Sequence, residues 1–497
     1  MPNTRGNLIA NTDWVIVGIY FLLVLFGMLS IYSADYNTDI SEFFNIDRRS
    51  GKQFLWAFFS IILGFGIMKI DSKIFQVLAY PTYFLVLGMQ IFVILFAKEV
   101  NGAKAWLEIG AFKIQPAEFS KFATALCLSV YVSKLGFEDN KKHETITDLS
   151  KNIGNIIKGK GLLSLADIKF KTHIIPLTII TLPIIAILLQ KDTGTAIVFV
   201  ALSFTLFREG IIGNIMYVAL AVIFVTILTL LYDGATSFVF IGYLAIFTYA
   251  FLIRNSTYGL LSVAALVLYI IIRIIFDWDI YFDMYAILAW ILITGIQTLV
   301  IKDAWKRTEK LTLLLVFILT SLFIYSVDLL YKILLPHQRV RIDVLFGKIE
   351  DPSVAFQTEQ SLNAIGSGGF FGKGFLNGDL TKGKWVPEQF TDYIFCTVGE
   401  EWGFLGAFIV VTLMIGLIIR IIQKAEKQRS RIGRVYGYCV AAILFFHFLV
   451  NIGITIQLMP VIGIPLPFFS YGGSSLLSFT VLLFIFLRFD SQRLDIL

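Results

Sequence analysis

Apolar runs close to twenty residues long, separated by short polar breaks, recur along almost the whole chain. They fall near 14–34, 53–70, 76–97, 118–134, 173–190, 194–208, 212–231, 236–253, 257–276, 284–301, 311–335, 403–423, 435–455 and 473–488. A twenty-residue helix rises about 30 Å, the thickness of a bilayer's hydrocarbon core. The pattern therefore predicts about fourteen spans in an all-α polytopic membrane protein. The 194–208 run is short for a span, and 212–301 is crowded. The first run, from Trp14 to Ile31, has no small-residue cleavage pattern and reads as a retained span rather than a signal peptide.

The basic residues orient this bundle. With the N-terminus in the cytoplasm, the loop 135–172 is also inside, and it carries Lys141, Lys142, Lys151, Lys158, Lys160, Lys169 and Lys171. The same parity puts Lys302, Lys306, Arg307 and Lys310 inside, and likewise Lys424, Lys427, Arg429, Arg431 and Arg434. The base-free Tyr232–Thr236 and the acidic Asp277–Asp283 fall outside. So does 336–402, a long hydrophilic loop rich in carboxylates, bases and glycine. The lysine-rich 135–172 loop reads as a headgroup-facing segment, with a docking site for a cytoplasmic partner as the alternative.

Composition agrees with a membrane protein and excludes little else. The 497 residues are 57% hydrophobic and 15% charged, and the mean hydropathy is +0.80. A soluble domain needs more surface charge than that. Three scattered cysteines and four scattered histidines offer neither a disulfide framework nor metal-ligand spacing.

Chemistry is concentrated in a few polar segments. In NGAKAWLEIGAFKIQPAEFSKFATA, Pro116 suits a first helical turn, and Glu118 and Lys121 lie three residues apart on one face. They form either a structural ion pair at the membrane edge or part of a polar cavity for a charged substrate. QKDTGTA offers Asp192 as a helix cap or as one more carboxylate at the same site. Arg339 and Arg341 in HQRVRI suit bidentate phosphate contacts or lipid anchoring. Glu350 and Asp351 precede Pro352, and spacing alone leaves them as solvated loop acids. AIGSGGFFGKG fits neither Gly-x-Gly-x-x-Gly nor a P-loop, yet its amides and Lys373 can face a phosphate, or it can simply form a tight turn. In PEQFTDYIFCTVGEEWGFLG, Thr391 and Asp392 are candidate caps, with Glu400 and Glu401 just before the apolar run. NIGITIQLMPVIGIPLPFFSYGGSS is irregular backbone, tolerated at membrane depth only where protein or a cavity surrounds it.

Taken in order, these motifs resemble those of the SEDS family of shape, elongation, division and sporulation proteins. The matching stretches are NGAKAW with QPAEFSK, QKDTGTA, HQRVRI, EDP, QSLNAIGSGGFFGKG, PEQFTDYIF with GEEWGFLG, and PLPFFSYGGSS; Asp13–Trp14 and IYSAD extend the match to the N-terminus. GIPLPFFSYGGSS is closer to the elongation branch than to the division branch. The resemblance implies a SEDS-type bundle of ten core spans (1–210 and 311–497) with about four inserted spans at 211–310. It places a catalytic extracytoplasmic loop at 336–402. It further implies a multi-pass protein of the bacterial cytoplasmic membrane that polymerises lipid II into glycan strands during cell-wall elongation. A class B penicillin-binding protein and other elongation-complex membrane proteins are the implied partners. Asp351 occupies the position of the family's essential aspartate. Trp106, Glu118, Lys121, Asp192, Arg339, Arg341, Gln360, Ser361, Lys373, Glu388, Asp392 and Ser470 fall on motif positions expected to contact substrate. Ala105, Lys191, His337 and Gln457 depart from the family's arginine, proline, tyrosine and glycine.

The implied reaction needs a base beside the acceptor hydroxyl and positive charge beside the leaving diphosphate. Asp351 suits the first role, and Arg339, Arg341 or Lys373 the second. Asp351 can instead hold a divalent cation (Mg or Mn); no cofactor follows from the sequence. A lipid II flippase is the rival expectation, because transporters also carry intramembrane charges and broken helices. A non-catalytic scaffold of the elongation machinery is a third.

Overall fold

The computed structural model describes residues 11–36, 48–99, 103–109, 112–135, 170–231, 352–383 and 385–493, with scattered positions between 323 and 344. The expected spans at 236–253, 257–276 and 284–301 lie outside the described residues. So do Arg341, Asp351 and nearly all of the 135–172 loop.

Along the chain come α1 (Trp14–Asp35), α2 (Arg49–Lys69), α3 (Ser72–Phe96), a hairpin of β1 (Leu107–Ile109) and β2 (Phe112–Ile114), and α4 (Pro116–Lys134). Then follow α5 (Ile175–Leu189), α6 (Thr193–Val198), α7 (Leu202–Arg208), α8 (Gly213–Leu231) and α9 (Pro352–Ser367). The last are α10 (Asp379–Lys382), α11 (Ile394–Glu426), α12 (Arg431–Thr455) and α13 (Gly473–Ser491). The hairpin is antiparallel, pairing Leu107 with Ile114 and Ile109 with Phe112. Among the described residues, seven helices are long and apolar enough to cross a membrane.

The chain divides into two compact units. One comprises Met1–Gly136, Phe170–Ile212 and Arg341–Leu497; the other comprises Phe137–Lys169 and Gly213–Val340. In the second unit, the hydroxyls of Thr226 and Thr229 on α8 donate to the carbonyls of Val222 and Val225, which removes bare donors from an apolar helix. Its Arg339 guanidinium lies 6.0 Å from the Tyr331 ring centre.

In the first unit, α13 packs along α2, α11 along α12, α3 along α4, and α9 against α11. Tyr20, Phe468, Phe479 and Phe484 fill the middle with edge-to-face contacts, and the Tyr20 hydroxyl pairs with Thr480 at 3.1 Å. One end of this unit is basic. There Asp13, the N-cap of α1, accepts from the Val15 and Ile16 amides and pairs with Arg420 and Lys424. Burial opposes ionisation of Asp13, but the Lys424 hydrogen bond and charge, the Ile16 amide and Arg420 outweigh it and hold the carboxyl below its ordinary value. Lys424 and Arg493 also reach Asp490, while Glu209 binds Arg431 and Arg434. These ion pairs gather at the end that the distribution of bases assigns to the cytoplasm.

Two expected elements differ. The 194–208 run is not one helix but α6, a 3₁₀ turn at Phe199–Ala201 and α7. The run expected at 403–423 begins earlier, because α11 has 33 residues from Ile394 to Glu426. That length corresponds to about 50 Å, well beyond one hydrocarbon core. It is accommodated by a break at Gly403, whose φ of 63° and ψ of −159° lie in a region open essentially to glycine alone.

The break is repaired by the glycine-rich turn. The amides of Phe404 and Leu405, which in a continuous helix would bond to Glu400 and Glu401, instead donate to the carbonyls of Gly369 (2.9 Å) and Phe370 (3.1 Å). The abandoned carbonyls of Glu400 and Glu401 accept from the amides of Lys373 (3.0 Å) and Gly374 (2.9 Å). Two lost helical bonds are exchanged for four to the turn. A Cβ on Gly403 would come within 2.3 Å of the Gly372 nitrogen. Gly403→Ala is therefore expected to cost at least about 1–3 kcal/mol. Gly416→Ala, in an open stretch of the same helix, should be neutral or slightly stabilising. Thermal unfolding of the two purified variants checks this; equal melting temperatures would contradict the account of the break.

Candidate functional site

A lysine buried in a membrane bundle needs all three of its N–H bonds answered by protein. Lys121 lies one turn into α4, 1% exposed. Its Nζ is 2.9 Å from both carboxylate oxygens of Glu118 and 3.0 Å from Nε2 of His447 on α12. The Phe479 ring closes the remaining side, 4.6 Å from Nζ. His447 Nδ1 is 3.0 Å from the Pro465 carbonyl, which only accepts. Nδ1 therefore carries the proton and Nε2 presents its lone pair to the ammonium. The group is neutral as a whole: a cation, an anion and a neutral imidazole.

Outer segments converge on this triad. Pro116 opens α4 at its first turn, as its missing amide hydrogen permits. Gln115, the residue before it, donates to Asp192 Oδ2 at 2.7 Å. Asp192 caps α6 through the Thr195 amide (3.0 Å) and hydroxyl (2.8 Å), so it performs the capping role and joins the α4 entrance at once. The PLPFFSYGG segment forms the roof. Ser470 accepts from the Leu466 amide (2.8 Å) and donates to the Thr391 carbonyl (2.6 Å). Asn451, fully buried on α12, donates to the carbonyls of Ile464 (2.8 Å) and Asp392 (3.0 Å). From α2, Gln53 accepts from the Gly472 amide at 3.1 Å. Ser361 ties α9 to α12 through the Thr455 carbonyl at 3.2 Å.

A second polar cluster sits where the glycine-rich turn meets α11. The Glu400 carboxylate accepts from the Leu380 and Thr381 amides (2.9 Å each), the Thr381 hydroxyl (2.6 Å) and Lys373 Nζ (3.0 Å). Lys373 also pairs with Asp379 at 3.1 Å. The hydrogen bond to Glu400 holds the Lys373 ammonium above the usual lysine range; partial burial opposes this and Asp379 reinforces it. Its neighbour Glu401 accepts from the Ser33 hydroxyl of α1.

The expected site residues thus separate. Glu118, Lys121, Asp192, Ser361, Asp392 and Ser470 belong to the segments joined around the triad. Lys373 belongs to the second cluster. Trp106 is half-buried just ahead of β1, and Gln360 is half-buried on α9. Glu388 is exposed, with φ at +52°. Arg339 is in the other unit, and Asp351 and Arg341 lie outside the described residues. Thr391 and Asp392 are not caps of α11; its N-cap is Tyr393, with no side-chain cap bond. Glu400 and Glu401, expected just before the apolar run, are buried members of the helix. Nothing in the local sequence marks His447, Asn451 or Gln53, since each meets a partner across the fold. Among the described residues, no group of three or more His, Cys, Asp or Glu side chains fits a metal ion.

A multi-pass helical membrane protein with a buried charged triad roofed by irregular outer segments is the class that the fold and site define. Its relatives narrow this. The profile of the FtsW/RodA/SpoVE cell cycle protein family matches residues 13–240 and 253–494. The peptidoglycan glycosyltransferase RodA of Treponema pallidum is 30% identical over 475 residues, 94% of this chain and 95% of that protein. The peptidoglycan glycosyltransferase MrdB of Escherichia coli K12 is 41% identical over 142 residues, 28% of this chain and 38% of that one. Among solved structures, a peptidoglycan synthase complex that coordinates polymerization and crosslinking gives a TM-score of 0.57 at 19% identity, covering 98% of this chain and 99% of the other. RodA of Thermus thermophilus gives 0.51 at 18% identity, covering 99% of each. The chain belongs to the FtsW/RodA/SpoVE family, the SEDS proteins, in the membrane of a bacterial cell.

The triad makes a measurable demand. Lys121→Met or Glu118→Gln alone leaves a buried polar partner unanswered and should cost about 3–5 kcal/mol. The double substitution should be markedly less destabilising than the sum of the two. A double-mutant cycle on thermal unfolding checks this; simple additivity would show that the pair is not coupled.

Proposed function

We propose that this chain is a peptidoglycan glycosyltransferase that polymerises lipid II at the outer face of the cytoplasmic membrane during elongation. The supporting observation is full-length kinship with a RodA, in a chain whose outer segments converge on one buried charged group at membrane depth. Such convergence suits a reaction in which a lipid-anchored sugar must be held at the bilayer surface.

In the proposed step, an acceptor sugar hydroxyl attacks the anomeric carbon of a second lipid-linked disaccharide with inversion. The new glycosidic C–O bond forms as the bond to undecaprenyl diphosphate breaks. Asp351 takes the hydroxyl proton, and the diphosphate leaves as an anion. A guanidinium such as that of Arg341 suits this anion, because its planar fork binds phosphate oxygens bidentately. Trp106, Gln360, Glu388 and Asp392 supply aromatic and polar surface for the sugar and peptide. Glu118, Lys121 and Asp192 hold the entrance to α4, and Ser361 and Ser470 hold its surroundings. The likeness to a synthase complex that couples polymerization to crosslinking supports a membrane-bound transpeptidase of the class B penicillin-binding type as partner.

Purified protein given lipid II in detergent should form glycan polymer. Asp351→Asn should reduce the rate about 10²–10⁴-fold, the usual contribution of a general base, and the assay is run with and without Mg or Mn. Undiminished polymerisation by Asp351→Asn would remove the base assignment. A wild-type protein that forms no polymer, yet moves lipid II across liposome bilayers, would overturn the function.

A further inference from the structure

The turn that repairs the α11 break carries two adjacent phenylalanines whose rings its backbone bonding does not use. Phe370 is 57% and Phe371 77% exposed. Each sits beside a glycine with positive φ, Gly369 at +58° and Gly372 at +79°, so the turn's shape is set by backbone rather than by packing of these rings. The rings continue an existing line. Phe371 meets Phe370 edge-to-face at 4.9 Å, Phe370 stacks on Phe404 at 5.7 Å, and Phe404 stacks on Phe408 at 6.1 Å. Phe404 and Phe408 begin the exposed apolar face of α11, which runs on through Ile415, Ile419 and Ile422 at helical spacing. In a spanning helix that face meets acyl chains. The line of rings therefore leaves the helix at its outer end without leaving the lipid-facing side.

The other side of the same turn is polar. Lys373 turns to Glu400 and Asp379, and the Asp379 side chain is 84% exposed. One short segment thus has an aromatic side continuous with the lipid-facing stripe and a charged side open to water. That division matches the chemistry of a bilayer's interfacial zone.

We propose that the Phe370–Phe371 turn is an interfacial anchor that inserts its two rings into the outer leaflet. The partner is phospholipid, contacted at the boundary between headgroups and acyl chains. Because α9 ends at Ser367 and the turn is bonded into α11 at four backbone positions, the anchor fixes one end of α9 at the membrane surface. Asp351 immediately precedes the other end. The consequence for height above the bilayer rests on the proposed function; the lipid contact does not.

The test uses the full chain in nanodiscs of phosphatidylethanolamine and phosphatidylglycerol, with one nitroxide on Phe371→Cys or on Asp379→Cys. The native cysteines, Cys127, Cys396 and Cys439, are buried. Collision with oxygen, which concentrates in lipid, is compared with collision with a water-soluble nickel chelate. The oxygen-to-nickel ratio at 371 should exceed that at 379 several-fold, with Phe370→Cys following 371. Equal ratios at 371 and 379 would place the rings in water and overturn the proposal. Protection of 371 from both reagents would overturn it too, by showing a protein cover such as a partner helix or a second copy.

Discussion

Lys121 has three N–H bonds, is almost fully buried and lies within a bundle surrounded by hydrocarbon. Those conditions bind much of the first unit together. Glu118 is available because the i,i+3 spacing on α4 puts it there. The third partner must come from elsewhere, and a protonated imidazole would repel the ammonium. His447 meets the need only as the Nδ1–H tautomer, which requires an acceptor at Nδ1, and the Pro465 carbonyl supplies it. One side chain on α4 thereby dictates the tautomer of a residue on α12 and the path of the backbone before α13. Asn451 then answers the buried Ile464 carbonyl, and Ser470 the Leu466 amide, of that irregular segment.

The same rule, applied to backbone, explains the break at Gly403. A helix interrupted near the bilayer surface strands two amides and two carbonyls, each costly if left unanswered. The glycine-rich turn answers all four, and only residues without Cβ allow it to approach so closely. Glycine at 372 and 403 is thus a packing requirement: a Cβ on Gly372 would lie 2.1 Å from the Glu401 carbonyl oxygen. The turn and the helix are one structural device, although the sequence separates them by some thirty residues.

Local features are legible in the sequence. Pro116 at a first turn, the Glu118–Lys121 spacing and Asp192 as a cap all follow from near-neighbour geometry, and each holds. What failed to show itself depends on distant partners. Glu400 and Glu401 lower local hydropathy, so a running average starts the span only at about 403. Four donors around Glu400 make its burial affordable, and none can be read from the helix itself. Thr391 and Asp392 resemble caps in sequence, but their carbonyls are claimed by Ser470 and Asn451. His447 looked like an isolated histidine because its contact spans 326 residues.

The completeness of the triad bears on how the site handles charge. An anionic diphosphate could recruit Lys121 only by displacing Glu118 or His447. Displacing Glu118 would bury two anions around one cation. Displacing His447 would leave a buried imidazole lone pair unanswered. Either exchange sacrifices a bond already made, so Lys121 is a poor first receptor for the leaving group. Its contribution is fixed geometry: a neutral, fully bonded post on which the entrance of α4, the roof at 465–472 and the 391–392 segment are all registered. A guanidinium presents a planar fork that binds phosphate oxygens bidentately, a geometry that the enclosed ammonium of Lys121 lacks. Lys121 therefore builds the site, and the proposed contact to the diphosphate falls to other side chains.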